Sequence, residues 1–507
     1  MKIASKIVSF YQKNWAAALS ITVIAFITWH KILGQVLLGE GYMYFNPRLN
    51  FFVKDGISIW GYDNFAKIIF DVFPPIFRDN VQAYLLLFLT IAIVFFLSFY
   101  VVLAQITKNK FLAFTATVFF ETNYLALFEY LGAGTYQRFA QRFPNLIPII
   151  FSFYFLWKFG EDKKIFNLTV SFALWAFAVF MGHFSSLALP ILVIYPFIKM
   201  LSTKLTWKSV LSTFVVCISF ILISFYLTHR SEQQPRGGFV NFLNTENNLD
   251  ERLLDQIPIV TVPLNLISYI GKNWDPPIKE PYLAVVRVAL IPCLIMYFGG
   301  ILLVKKRLPK LAPLYISFLL SMISTMFLYM YVDTRLDVTK YFGEDRYFIF
   351  SILFAVVTWA ILLKALFLNK ETLYRLATLF ILIPFVVNNL TLIWRHFDNI
   401  QYKSEFLRRF TAHIKLISPE FEKGTIIIVP SYLQWPAAMI MEHVSPNIDF
   451  QLAVDGWEKK YWNVRDKVRV FDYKYEMVLV EHIDPKKWYF IDLTNEYRSG
   501  RPIKFQY

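Results

Sequence analysis

WAAALSITVIAFITWHKILGQVLLGEGY, residues 15–42, decides how this chain is read. Its apolar run covers residues 16–38, enough helix to cross the ~30 Å hydrocarbon layer of a bilayer. The run ends on Gly39-Glu40-Gly41-Tyr42, and a polar segment carrying Asp55, Asp63, Asp71 and Asp79 continues to residue 80. Carboxylates at the mouth of a membrane bundle are costly unless they are solvated or paired, so this segment is either a wet loop or a reaction site. Lys2, Lys6 and Lys13 precede the run and no small-residue cleavage pattern follows it. The expectation is an uncleaved signal anchor with a cytoplasmic N-terminus.

Composition agrees with a membrane setting. Of 507 residues, 57% are hydrophobic, 19% aromatic and only 17% charged, more apolar side chain than a soluble core of this length uses. A net charge of +15 raises nucleic acid as a partner, but a nucleic-acid binder gathers its basic residues on one soluble face. Here many stand in short loops between apolar runs, so no nucleic-acid partner is expected. Membrane lipids and phosphate head groups suit the excess charge better. Cys217 and Cys293 both lie inside apolar runs, so they read as packing residues and no disulfide framework is expected.

Apolar runs recur at 16–38, 82–104, 111–131, 144–158, 165–182, 186–201, 209–227, 282–304, 311–332, 346–368 and 373–394. The expected fold is a polytopic α-helical membrane protein with about 11 transmembrane helices. Basic loops test the count, because Lys and Arg favour the cytoplasmic side. With the N-terminus inside, Lys108 and Lys110, Lys163 and Lys164, Lys204 and Lys208, then Lys305, Lys306, Arg307 and Lys310, and finally Lys370 all fall inside. Segments 39–81, 228–281, 333–345 and 395–507 then fall outside. The weakest pair of spans is 165–201, where Gly182-His183-Phe184-Ser185-Ser186 leaves room for only a tight outer turn.

Within the first outer segment, Phe65, Ile68, Ile69 and Val72 share a helical face ahead of Pro74-Pro75, as in an amphipathic helix on the membrane surface. Segment 228–281 reads as a loop with a surface or re-entrant helix. From Arg395 the apolar runs stop and an outer α/β domain is expected over residues 395–507. It would hold a helix at 402–417, a strand at 425–430, a helix near 436–443 and strands near 468–473, 477–481 and 488–492. It shows no Gly-rich phosphate loop, no metal-type Cys/His spacing and no Gly-x-Ser-x-Gly elbow.

Three sets of residues carry candidate chemistry. Glu40 stands where the first span meets water, half desolvated, which suits a general base, with Asp55 and Asp63 as alternatives. Arg138 and Arg142 lie four residues apart in an outer loop, where arginine is usually scarce. They suit either lipid-phosphate snorkelling or a clamp on a phosphate or pyrophosphate ligand. Charges also crowd before the tenth run, Arg346 among them. His30, Lys31, Glu121, Glu129 and His183 are further ionisable groups at membrane depth, the histidines read as packing residues rather than catalysts or ligands. No metal site is marked by the sequence.

The acidic residue just after the first span, the surface helix at 60–70, the arginine pair and the outer C-terminal domain together resemble the GT-C superfamily of integral-membrane glycosyltransferases. The resemblance covers most of residues 1–394, which would form the transmembrane module. It implies a sugar donor on a polyprenyl phosphate, transfer on the outer face to a lipid, glycan or protein acceptor, and a base supplied by the first outer loop. Carried over, Glu40 would activate the acceptor, while Arg138, Arg142 and Arg346 would hold donor phosphate. Many relatives show an Asp-Glu pair where this chain has Gly39-Glu40-Gly41, so Asp55 and Asp63 stay alternatives. Members differ in metal dependence, which leaves a divalent cation open. Two other classes compete, a lipid or oligosaccharide transporter and a non-catalytic membrane scaffold. A transporter should show paired broken helices or charges along a midplane path.

Overall fold

Inside lipid each backbone N–H and C=O must be satisfied by protein, which makes helix the default for every apolar run. The computed structural model describes residues 14–34, 81–131, 139, 142–203, 205–229, 257–258, 280–332, 348–367 and 370–417, with strands at 426–429, 451–454, 468–471, 477–480 and 488–490. Helices α1 (Trp15–Trp29), α2 (Val81–Thr107), α3 (Lys110–Glu121), α4 (Tyr124–Leu131), α5 (Leu146–Asp162) and α6 (Ile165–Met181) form the first half. The second half holds α7 (Leu189–Leu201), α8 (Trp207–His229), α9 (Glu280–Arg307), α10 (Ala312–Val332), α11 (Ile349–Leu366) and α12 (Glu371–Ile417). Seven helical stretches among the described residues are long and apolar enough to cross a membrane, and Ile165–Met181 and Ala312–Leu328 are shorter apolar helices. The protein is a multi-pass helical membrane protein.

Two boundaries differ from the sequence reading. The run at 111–131 is not one helix, because it breaks at Thr122-Asn123 between α3 and α4. The helix of the last apolar run does not stop at Arg395 either, since α12 continues without interruption for 47 residues and absorbs the helix expected at 402–417. Hydropathy falls at Arg395, but no Pro or Gly occurs from there to Ile417, and a change in polarity alone does not end a helix.

Helix α11 is the hub. Its span is 83% buried, against 22% for the spans in α8 and α9, and α3, α9 and α10 pack around it. An all-round apolar helix belongs in such a centre. At the rim, Trp207, Val288, Leu302 and Phe380 are strongly exposed, as lipid-facing residues should be. Between helices, polar contacts supplement packing, since lipid supplies little hydrophobic drive for association. Ser152 Oγ donates to the Ser171 carbonyl at 2.9 Å and Ser171 Oγ to the Ser152 carbonyl at 2.8 Å, joining α5 and α6. The Tyr315 hydroxyl donates to the Tyr297 carbonyl and Trp359 Nε1 to the Tyr297 hydroxyl, both at 3.0 Å, which ties α9, α10 and α11 together.

Five short strands, β1 (Ile426–Val429), β2 (Gln451–Val454), β3 (Val468–Phe471), β4 (Met477–Val480) and β5 (Trp488–Phe490), form one sheet in the order β4-β3-β2-β1-β5. Strand β1 runs parallel to β2 and β5, with Ile427 opposite Leu452 and Tyr489. Strands β3 and β4 pair antiparallel, with Val470 opposite Val478. Strands β1, β3, β4 and β5 lie in stretches read above as strands, whereas β2 was not anticipated from its pattern. The helix expected near 436–443 lies outside the described residues, as do the surface helix at 60–70 and most of segment 228–281.

Candidate functional site

Of the residues assigned chemistry from sequence, Glu40, Asp55, Asp63, Arg138 and Arg346 lie outside the described residues. Arg142 is described. It stands at the entry to α5, beside a short 3-10 turn, Phe143–Asn145, in which Pro144 occupies an early helical position where a missing N–H costs nothing. Phe139 and Phe143 flank it in sequence and stack on each other at 4.8 Å, while Phe139 stacks on Phe88 at 4.7 Å. Phe143 also meets Phe95 and Phe96 edge-on. This aromatic cluster anchors the backbone that carries Arg142.

The guanidinium carbon of Arg142 sits 4.2 Å from the ring centroid of Phe184. Phe184 belongs to the 3-10 turn His183–Ala188 between α6 and α7, the tight turn expected at Gly182–Ser186. Ser185 fixes that turn, donating from Oγ to the Ala178 carbonyl at 2.8 Å and from its N–H to the Gly182 carbonyl at 2.9 Å. A cation at this distance over an aromatic ring is attracted by the ring's negative face, and the planar guanidinium offers the fork of donors with which arginine recognises carboxylate or phosphate.

A second polar junction joins α1 to α12. Lys31 Nζ donates to Asp398 Oδ1 at 2.5 Å and lies 5.7 Å from the Trp394 ring. His30 packs edge-on against Trp394 at 6.1 Å, with Nδ1 2.9 Å from the Ile27 carbonyl. His30 thus packs against Trp394 beside this junction. Deeper in, Trp29 Nε1 donates to the Glu121 carbonyl at 2.8 Å, and the Tyr124 N–H donates to Asn389 Oδ1, also at 2.8 Å. The break between α3 and α4 is thus closed by side chains from α1 and α12. Sequence reasoning missed Trp29 and Asn389. The signal was present in Asn388-Asn389, two amides inside an otherwise apolar run.

The Glu121 side chain is fully buried. Nothing is described of the side chains of Glu129 and His183. Among the described residues no group of three or more His, Cys, Asp or Glu is placed to hold a metal ion.

No known family and no curated protein matches this chain in sequence. Solved structures resemble it at low identity. An oligosaccharyltransferase from Archaeoglobus fulgidus, in complex with zinc and sulfate, aligns at 12% identity and a TM-score of 0.47, over 85% of this chain and 62% of that one. The chain therefore spans less than two thirds of that relative's length. The Archaeoglobus fulgidus oligosaccharyltransferase AglB, with an inhibitory peptide and a dolichol phosphate, aligns at 11% identity and a TM-score of 0.49, over 93% and 75% of the two chains. ArnT from Cupriavidus metallidurans, bound to undecaprenyl phosphate, aligns at 13% identity and a TM-score of 0.41, over 92% and 98%.

Proposed function

We propose that this protein is a membrane glycosyltransferase of the GT-C kind, moving a sugar from a polyprenyl-phosphate donor to an acceptor on the outer face. Arg142 carries the reading, its guanidinium held over Phe184, whose turn the basic-loop pattern assigns to the outer surface. All eleven apolar runs cross the membrane in this reading, the N-terminus is cytoplasmic, and the sheet-bearing domain stands outside. Glu40 removes a proton from the acceptor hydroxyl, with Asp55 and Asp63 as the alternative bases. The acceptor oxygen then displaces the lipid phosphate from the sugar's anomeric carbon with inversion. Arg138, Arg142 and Arg346 stabilise the negative charge gathering on the departing phosphate.

The test is transfer of radiolabelled sugar from a panel of polyprenyl-phosphate donors by purified protein in lipid nanodiscs, with and without a chelator. Glu40→Gln should fold and lose turnover. Equal turnover in both forms moves the base to Asp55 or Asp63, and the chelator arm decides whether a divalent cation takes part. Absence of turnover with every donor refutes the transferase and leaves a scaffold or a transporter.

A further inference from the structure

Glu121 ends α3 with its side chain at 0% exposure, and among the described residues neither carboxyl oxygen has a hydrogen-bond partner. The other polar groups at this break are engaged. Trp29 occupies the Glu121 carbonyl, Asn389 occupies the Tyr124 N–H, and the Thr122 hydroxyl donates to the Val118 carbonyl at 2.7 Å. Helix α3 runs 12 residues from Lys110 to Glu121, about 18 Å at 1.5 Å per residue. With Lys110 at the inner surface, as the basic-loop reading has it, the carboxyl would stand about 18 Å into ~30 Å of hydrocarbon.

A bare carboxylate is poorly accommodated here. It would lack solvent and partners, and it would sit at the C-terminal, negative end of the α3 dipole. Among the described charged groups on the neighbouring helices, Lys31 pairs with Asp398 near one end and Lys364 and Arg375 with Glu371 near the other, and none, Lys110 and Arg395 included, hydrogen-bonds the Glu121 carboxyl. Of the other described titratable groups nearby, Tyr84, Tyr100, Tyr124, His30, Tyr374 and His396, none hydrogen-bonds the Glu121 carboxyl. A metal cation requires several ligands together, and among the described residues no group of three or more His, Cys, Asp or Glu could hold one. A proton requires one.

We propose that the Glu121 carboxyl is an intramembrane proton-binding site at the discontinuity of the third apolar run. Its neutral form lets the break pack against α1 and α12, and loss of the proton forces the junction to hydrate or open. This inference is independent of the transfer reaction.

A hydrophobic carbodiimide tests it on the full-length protein in lipid nanodiscs. The protonated acid gives its proton to a carbodiimide nitrogen, and its oxygen bonds to the central carbon. The resulting O-acylisourea rearranges to a stable N-acylurea with no group released. Mass spectrometry should find the adduct on Glu121, formed more slowly as pH is raised, unaffected by sodium or lithium, and absent from Glu121→Gln. The amide is a neutral isostere, so Glu121→Gln should keep the wild-type Tm. A lack of adduct in wild type, while exposed Glu161 still reacts with a water-soluble carbodiimide and an amine, overturns the proposal. Protection by sodium or lithium also overturns it, by making the site one for a metal cation. The wild-type labelling stands alone if the variant fails to fold.

Discussion

The guanidinium of Arg142 lies 4.2 Å from the ring centroid of Phe184, joining the entry of α5 to the turn between α6 and α7. Two loops that are 42 residues apart in the chain thereby hold one cation in place. If that cation binds donor phosphate, Arg142→Ala should lower kcat/KM for transfer by about 100-fold. Arg142→Lys should restore only part of the loss, because an ammonium neither stacks flat nor offers a planar fork of donors. Steady-state kinetics on matched donor concentrations checks both.

Trp29 bonds the carbonyl of Glu121 from a different helix. Trp29→Phe keeps an aromatic ring and deletes the donor, so it should destabilise the bundle by about 1–2 kcal/mol. Thermal unfolding in a fixed detergent, compared with wild type, measures the shift.

Gly299 and Gly300 provide an internally controlled pair on α9. A methyl group on Gly300 would collide with the Tyr315 hydroxyl and press on Leu362, whereas one on Gly299 would meet nothing within 4 Å. Tyr315 is fully buried and its hydroxyl bonds the Tyr297 carbonyl, so it has little freedom to retreat. Gly300→Ala should cost about 1–3 kcal/mol, while Gly299→Ala should stabilise by about 0.5–1 kcal/mol through helix propensity. The same unfolding assay applied to both variants separates overpacking from propensity.

At the α5–α6 turn, Asp162 accepts the Lys164 N–H at 3.0 Å and the Asn167 side-chain amide at 2.9 Å. The backbone hydrogen bond from Lys164, helped by the Asn167 amide and nearby lysines, holds the Asp162 carboxyl below its ordinary value. A depressed folded value means the contribution is present above the unfolded carboxylate range, near pH ~3.9, and is lost as pH falls through the folded value. Asp162→Ala should therefore lower Tm at neutral pH, and the gap to wild type should close on acidification.

Lys163 in the same turn has φ of 56°, the left-handed region, as the residue that ends α5. Lys163→Gly removes the Cβ that this conformation penalises and should stabilise the turn by about 1 kcal/mol. Unfolding midpoints of the wild type and variant test it.

Much of the helical frame was legible in the residues because membrane helices are specified locally. Each apolar run must satisfy its own backbone, and the lipid rewards hydrophobicity wherever it occurs. The strands at Ile426–Val429 and Met477–Val480 were legible for a related reason, being short, β-branched or apolar runs between polar stretches. Glu121 could be singled out as an ionisable residue at membrane depth, since a charge type inside an apolar run is visible without any fold.

What the sequence alone determined, then, was where helices lie, which residues are too polar for their surroundings, and which loops carry the basic charge. Only the tertiary structure decided that the third run is broken, that Trp29 and Asn389 close the break, and that Arg142 rests on Phe184. It also decided that α11 is central while α8 and α9 stay mostly exposed, although all three are strongly apolar. The physical reason is that hydropathy is a property of single segments, whereas the partner of a polar group is chosen across the fold. Trp29 is 92 residues from Glu121, and Tyr124 is 265 from Asn389, distances over which no local pattern in the chain extends.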